Sequence, residues 1–175
     1  SCLYDVVDVD HFAGQVDARL RPNQLLAVGG LTHQLMTGSH AHKIVDLCEQ
    51  KLYTPAGLRT LSPDDPDYVG SYIGDAAHRD GAYHNGTVWP WLLGPFVEAW
   101  MRVHGNKPGA HRMLKSKARK RFLVPMLEAC SSHGLGHIAE IADGDMPHTP
   151  RGCPFQAWSV GEAIRLDRVV LGKEK

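Results

Sequence analysis

Residues 79–97 read RDGAYHNGTVWPWLLGPFV. The first half carries Arg79, Asp80, Tyr83, His84 and Asn85, with Gly81 and Gly86 at the bends. The second half, residues 88–97, carries no charge. That run is too short for a bilayer, which takes about 20 residues. An all-round apolar helix of this length is a buried one. Thr87 is placed to cap it and Pro95 to kink it. Glu98, Arg102 and His104 mark its wetter end, and Gly105-Asn106 closes it.

Upstream, residues 54–86 lose helical periodicity and hold Pro55, Gly57, Pro63, Pro66, Gly70 and Gly74 before the bends already named. A structureless loop of this length is uncommon in a compact domain and is either functional or disordered. Tyr53, Leu58, Leu61, Tyr68, Tyr72 and Ile73 argue for an ordered one. Before it, Ser39 is placed to cap an outer amphipathic helix. Ile44, Leu47, Cys48 and Leu52 form its apolar stripe, and Lys43, Asp46, Glu49 and Lys51 its wet face. Earlier still, Pro22 opens a helix carrying Leu25, Leu26, Val28, Leu31 and Leu35. Gly29 and Gly30 each weaken it by about 1 kcal/mol, and mark a close approach of another helix. Residues 3–10 alternate apolar and acidic positions, as a short strand or an extended entry segment.

Downstream, Pro108 starts another helix. Its first half, with Arg112, Lys115, Lys117, Arg119, Lys120 and Arg121, reads as solvated. Phe122, Val124, Met126, Leu127 and Cys130 then build a core face, with a bend at Pro125. Residues 131–153 form a second long loop with His137, Glu140, Asp143, Asp145, His148 and Arg151. A last helix covers residues 154–171. The pattern predicts an all-α fold of roughly five to six helices, with two long loops on one side. Loops on a rigid scaffold are where function concentrates.

The bulk properties narrow the function. A chain of 175 residues is one domain by its length and can bury a real core. A formal net charge of zero supplies no field to draw nucleic acid or an anionic membrane. Cys2, Cys48, Cys130 and Cys153 are far apart, which argues against zinc or a redox dithiol and for reduced cytosolic thiols. No long apolar run and no signal-peptide pattern occur, so the sequence predicts a soluble cytoplasmic protein. The chain opens on Ser1 rather than Met, as a processed or truncated product does. No Gly-x-Ser-x-Gly, P-loop or Gly-x-Gly-x-x-Gly is present, so a Ser nucleophile and nucleotide use have no support.

The chemistry-bearing residues sit in the loops. Glu140 is flanked by Ile138, Ala139, Ile141 and Ala142. Two readings stay open: a carboxylate tuned for acid–base work, or a surface residue on a short strand or turn. Asp143 and Asp145 hint at calcium, but turn-forming residues around Gly144 are the better reading. His33, His40 and His42 have no carboxylate or Cys at ligand spacing and read as solvated, so no metal or cofactor is expected. Tyr83, Trp89, Trp91 and Trp158 are of the type that stacks on a pyranose ring, while Trp100 reads as core.

Four segments are long enough to compare with known proteins: RPNQLLAV (21–28), LYTPAGLRTLSPDDPDYVGSYIGD (52–75), RDGAYHNGTVWPWLLGPFVEA (79–99) and HIAEIADGDMPHTPRGCPFQAWSVGEAIR (137–165). In order, they resemble the C-terminal catalytic domain of glycogen debranching enzymes of the amylo-α-1,6-glucosidase type. The resemblance implies an (α/α)6 barrel, of which residues 1–175 are a single partial domain, about half of the toroid. It implies inverting hydrolysis of α-1,6-glucosidic branch stubs in glycogen or related glucans. It implies Glu140 as general base, with the general acid in an upstream segment outside these residues. Asp80, His84, Trp89, Arg59, Arg21, Asn23 and Gln24 match positions expected to hold glucose, and Trp158 joins them. An upstream segment or partner chain is expected to complete the barrel. The alternative is a non-catalytic carbohydrate-binding or scaffold remnant of the same fold.

Overall fold

A computed structural model describes residues 2–105, 111–132 and 134–172. The chain opens with a hairpin of β1 (Val6–Val7) and β2 (Val16–Asp17), Val6 opposite Asp17. A 3-10 turn over Pro22–Ala27 leads to α1 (Gly38–Lys51), β3 (Tyr53–Thr54) and β4 (Gly57–Arg59). Then come α2 (Ala76–Tyr83), β5 (Val88–Trp89), a 3-10 turn over Pro90–Leu92 and α3 (Leu93–His104). A π turn over Arg119–Leu123 joins α4 (His111–Ala118) to α5 (Val124–Ser132). β6 (Ile141–Ala142) and β7 (Pro150–Arg151) precede α6 (Ala157–Arg165), which runs on as a π turn over Leu166–Val170.

The helices bear out the helical part of the expected fold. The all-α expectation fails at two antiparallel sheets: the β1–β2 hairpin, and a five-stranded sheet in the order β3-β4-β5-β6-β7. Its strands are two or three residues long, too short for apolar–polar alternation to show in the sequence. The uncharged run therefore splits. Val88 and Trp89 pair with Arg59 and Leu58, Val88 also lies opposite Ala142, and only Leu93 onward is helix. Thr87 does not cap that helix; its hydroxyl donates to the Tyr83 carbonyl at 2.6 Å. Pro95 falls in the first turn of α3, where its missing N–H is tolerated.

The core surrounds α3. Leu93, Phe96, Val97 and Trp100 pack with Ile44, Val45 and Cys48 of α1 and with Phe122, Leu123 and Met126. Tyr53, Phe96 and Phe122 meet ring to ring at 5.2–5.8 Å, and Trp100 joins Phe122 at 5.5 Å. Burial pushes the Cys48 thiol pKa far up, and Cys2 adds to the shift. Trp100 is core, as the sequence predicts.

The helix expected from Pro22 to Leu35 stops after one 3-10 turn, and Gly30 takes φ +81° just beyond it. Gly29 marks the close approach its size suggested: a Cβ there would lie 2.4 Å from the Ala99 backbone nitrogen of α3. α1 begins before Ser39, with Thr37 at its N-cap and no side-chain capping bond. The long loop contains α2, which Asp75 caps by accepting from the His78 N–H at 3.0 Å. The basic stretch is only partly a solvated face. Arg119 pairs with Asp167, and Arg121 pairs with Glu49 while its guanidinium lies 5.1 Å from the Phe122 ring. The expected helix start at Pro108 and the stop at Asn106 lie outside the described residues. No described helix is long and apolar enough to cross a membrane.

Candidate active site

The five-stranded sheet sets Trp89 and Glu140 near one another. Val88 pairs with Ala142, so the residue after Val88 and the residue before β6 approach from adjacent strands. Tyr83, at the end of α2, links them. Its hydroxyl donates to Glu140 Oε1 at 2.5 Å, and its ring meets Trp89 at 5.0 Å and His84 at 4.7 Å. The Cys153 N–H donates to Glu140 Oε2 at 2.9 Å, and the Glu140 N–H donates to the Cys153 carbonyl at 2.8 Å. Each carboxylate oxygen is thus held by one donor, which fixes its rotamer and leaves lone pairs free. Burial, then the hydrogen bond to Glu140 and its charge, push the Tyr83 pKa far above the usual phenol value. Tyr83 therefore stays a donor at neutral pH.

Beside this pair lies a groove of about 460 Å³. One wall is aromatic: His84 stacks on Trp89 at 5.2 Å, and Trp158 meets both Trp89 and Trp91 at 5.7 Å. The rest of its lining includes Arg21, Pro22 and Asn23, with Asp5 and Asp17 of the hairpin segment. Arg21 is a structural fork: it donates to the Thr60 carbonyl at 3.1 Å, to the His84 carbonyl and to Asn85 Oδ1 at 2.9 Å. Its Nε lies 3.6 Å from Asp5. Asn23 donates to Asp5 at 2.8 Å.

Of the residues singled out from sequence, Arg21, Asn23, His84, Trp89, Trp91 and Trp158 line this groove together. Gln24 is buried and donates to the Arg21 carbonyl at 3.1 Å; its Oε1 has no partner among the described residues. Arg59 is off the groove, where it donates to the Gly144 carbonyl at 2.9 Å and supports the Glu140 loop. Asp80 is exposed on α2. Asp143 is buried and occupied: it accepts from Arg151 Nε and Nη2 at 3.0 Å and from the Tyr72 N–H at 2.8 Å. The residues sequence reasoning missed are Asp5, Asp17 and Thr60. The acidic alternation of residues 3–10 was a signal for Asp5; Asp17 and Thr60 carry none.

Comparison with known proteins gives the family. The model of the amylo-α-1,6-glucosidase family matches residues 1–165. This chain belongs to that family. It is also similar to the glycogen debranching enzyme of Saccharomyces cerevisiae, 27% identical over 157 residues, which cover 82% of this chain and 10% of that protein. The chain thus spans a tenth of the length of this curated relative. In this chain a carboxylate held by two donors lies one tyrosine away from Trp89.

Proposed function

We propose that this chain supplies the general base and a sugar-holding wall of an inverting α-1,6-glucosidase that acts on branch stubs of glycogen or related glucans. The observation that carries this reading is the Tyr83–Glu140 hydrogen bond, which ties a carboxylate to the aromatic groove in a member of this family. In the proposed reaction Glu140 takes a proton from a water, and that water attacks the anomeric carbon from the face opposite the leaving oxygen. A general acid about 6.5–9.5 Å from the base protonates the leaving oxygen, the separation that leaves room for the water. That acid comes from a segment outside these residues, which also completes an (α/α)6 barrel around the groove. Arg21, Asn23, His84, Trp89 and Trp158 face the glucosyl unit. Gln24 and Arg59 act from behind the groove, and Asp80 reaches only glucan beyond it. The free cysteines suit the reducing cytoplasm where the reading places the protein.

The test is glucose release from limit dextrin by the chain mixed with its upstream segment. Glu140→Gln is expected to lower the rate by about 10²–10⁴-fold. A wild-type rate from that variant removes Glu140 from the role of base. A second reading, a carbohydrate-binding module without chemistry, draws on the aromatic wall of His84, Trp89 and Trp158, which suits a sugar ring without any reaction. Sugar binding without turnover in any combination of chains favours it.

A further inference from the structure

The hairpin wall of the groove carries a carboxylate that no role above uses. Asp5 is occupied by Asn23 and Arg21. Asp17 is not. Its Oδ1 accepts from the Arg19 N–H at 2.9 Å and lies 3.9 Å from Arg19 Nε. Among the described residues, no donor reaches its Oδ2. The side chain is 26% exposed, so it is largely shielded yet open on one side. It lines the same groove as Trp89, Trp91 and Trp158.

We propose that Asp17 is a ligand-binding residue whose free oxygen accepts hydrogen bonds from the hydroxyls of a neutral sugar stacked on the tryptophan wall. The proposal rests on the reading of the groove as a glucosyl site. Stacking on an indole fixes the plane of a pyranose but not its rotation within that plane. A carboxylate oxygen lining the same groove fixes the rotation, because it accepts only where the ring offers a hydroxyl. The ligand is neutral for a second reason. Among the described residues, the only guanidinium lining the groove, that of Arg21, is taken by Asp5, Asn85 and the carbonyls of Thr60 and His84. No cationic fork is left for a sugar phosphate or a uronic acid, and an anionic substituent facing Asp17 is repelled. Asp17 also borders a shallower hollow shared with Gln15, Arg19 and Asp65. If Oδ2 serves that side, it is merely hydrated.

The experiment is titration of the wild-type chain and of Asp17→Asn with isomaltose, read by tryptophan fluorescence. Asn keeps an acceptor for the Arg19 N–H and puts a donor where the free oxygen was. Binding is expected to weaken about tenfold or more, with an unchanged melting temperature. The monodeoxy methyl α-glucosides then locate the contact: one of them should bind the wild type and Asp17→Asn equally. If the melting temperature falls as well, this series still decides. Equal isomaltose affinity in the two proteins, or every deoxy sugar losing the same factor in both, overturns the role of Asp17 and leaves the glucosyl reading standing. Absence of any isomaltose response from the wild type, both alone and mixed with its upstream segment, overturns both.

Discussion

Around Phe96 and Phe122 the chain is joined by rings. Around Glu140 and Asp143 it is joined by hydrogen bonds. The first region is built from α1, α3 and the segment around the Arg119–Leu123 π turn, and its buried residues recur at helical spacing. The second is built from strands of two or three residues and loops, and its ties connect distant positions: Arg59 to Gly144, Tyr83 to Glu140, Arg21 to Asn85. The difference shows a division of labour. Apolar burial is non-directional and supplies a scaffold. Hydrogen bonds are directional and set individual side chains at fixed positions.

The comparison is broken most directly in the ring cluster. Phe96→Ala should cost about 3–5 kcal/mol in urea unfolding, because the side chain is fully buried and contacts Tyr53 and Phe122. A loss under about 1 kcal/mol would mean that the rings are not what holds the scaffold. Gly29→Ala should cost about 1–3 kcal/mol in the same measurement, since the new methyl meets the α3 backbone rather than a movable side chain.

On the hydrogen-bonded side, Asp143→Ala should cost about 1–3 kcal/mol by stranding Arg151 and the Tyr72 N–H. Amide exchange should rise in residues 138–153 and stay unchanged in α3. Uniform acceleration would dissolve the distinction between the regions.

Tyr83→Phe sharpens the comparison with a smaller effect, about 0.5–1.5 kcal/mol near neutral pH. It also carries a pH signature. The folded-state pKa of Tyr83 is raised, by burial first and then by Glu140, so the folded chain keeps its proton where the unfolded chain loses it. Stability from this group is therefore complete below about pH 10 and declines as pH rises beyond it. The wild type should lose more stability than Tyr83→Phe between pH 9 and pH 11 in urea titrations, and parallel profiles would contradict the assignment. Least of all, Gly81→Ala on α2 should gain about 0.5–1 kcal/mol of thermal stability, because nothing lies within 4 Å of its added Cβ.

What the sequence disclosed divides along the same line. The stripe of Ile44, Cys48 and Leu52, the core role of Trp100 and the close approach at Gly29 were legible, since each leaves a periodic or compositional trace. β5 was not. Val88 and Trp89 sit in an apolar run that suits strand or helix equally, and only pairing with Leu58, Arg59 and Ala142 decides. α2 was hidden because Ala82 is its only buried residue, so it shows no stripe. The groove was half legible. Its aromatic wall announced itself, whereas Asp17 is an ordinary acidic residue until the fold brings it to the groove that three tryptophans line.

The five-stranded sheet also carries a consequence for how the molecule assembles. Its β4–β5 and β5–β6 pairs join segments far apart in the chain. Strands this short cannot persist alone, and each such pairing closes a long loop at an entropic cost that grows with its length. The helices close their own backbone bonds within a single segment, whatever they later pack against, and so form ahead of them. Glu140 and Trp89 therefore come into register late on the way to the native state. They are also among the first to separate when the chain opens, so capacity to bind sugar should fade under denaturant before helicity does.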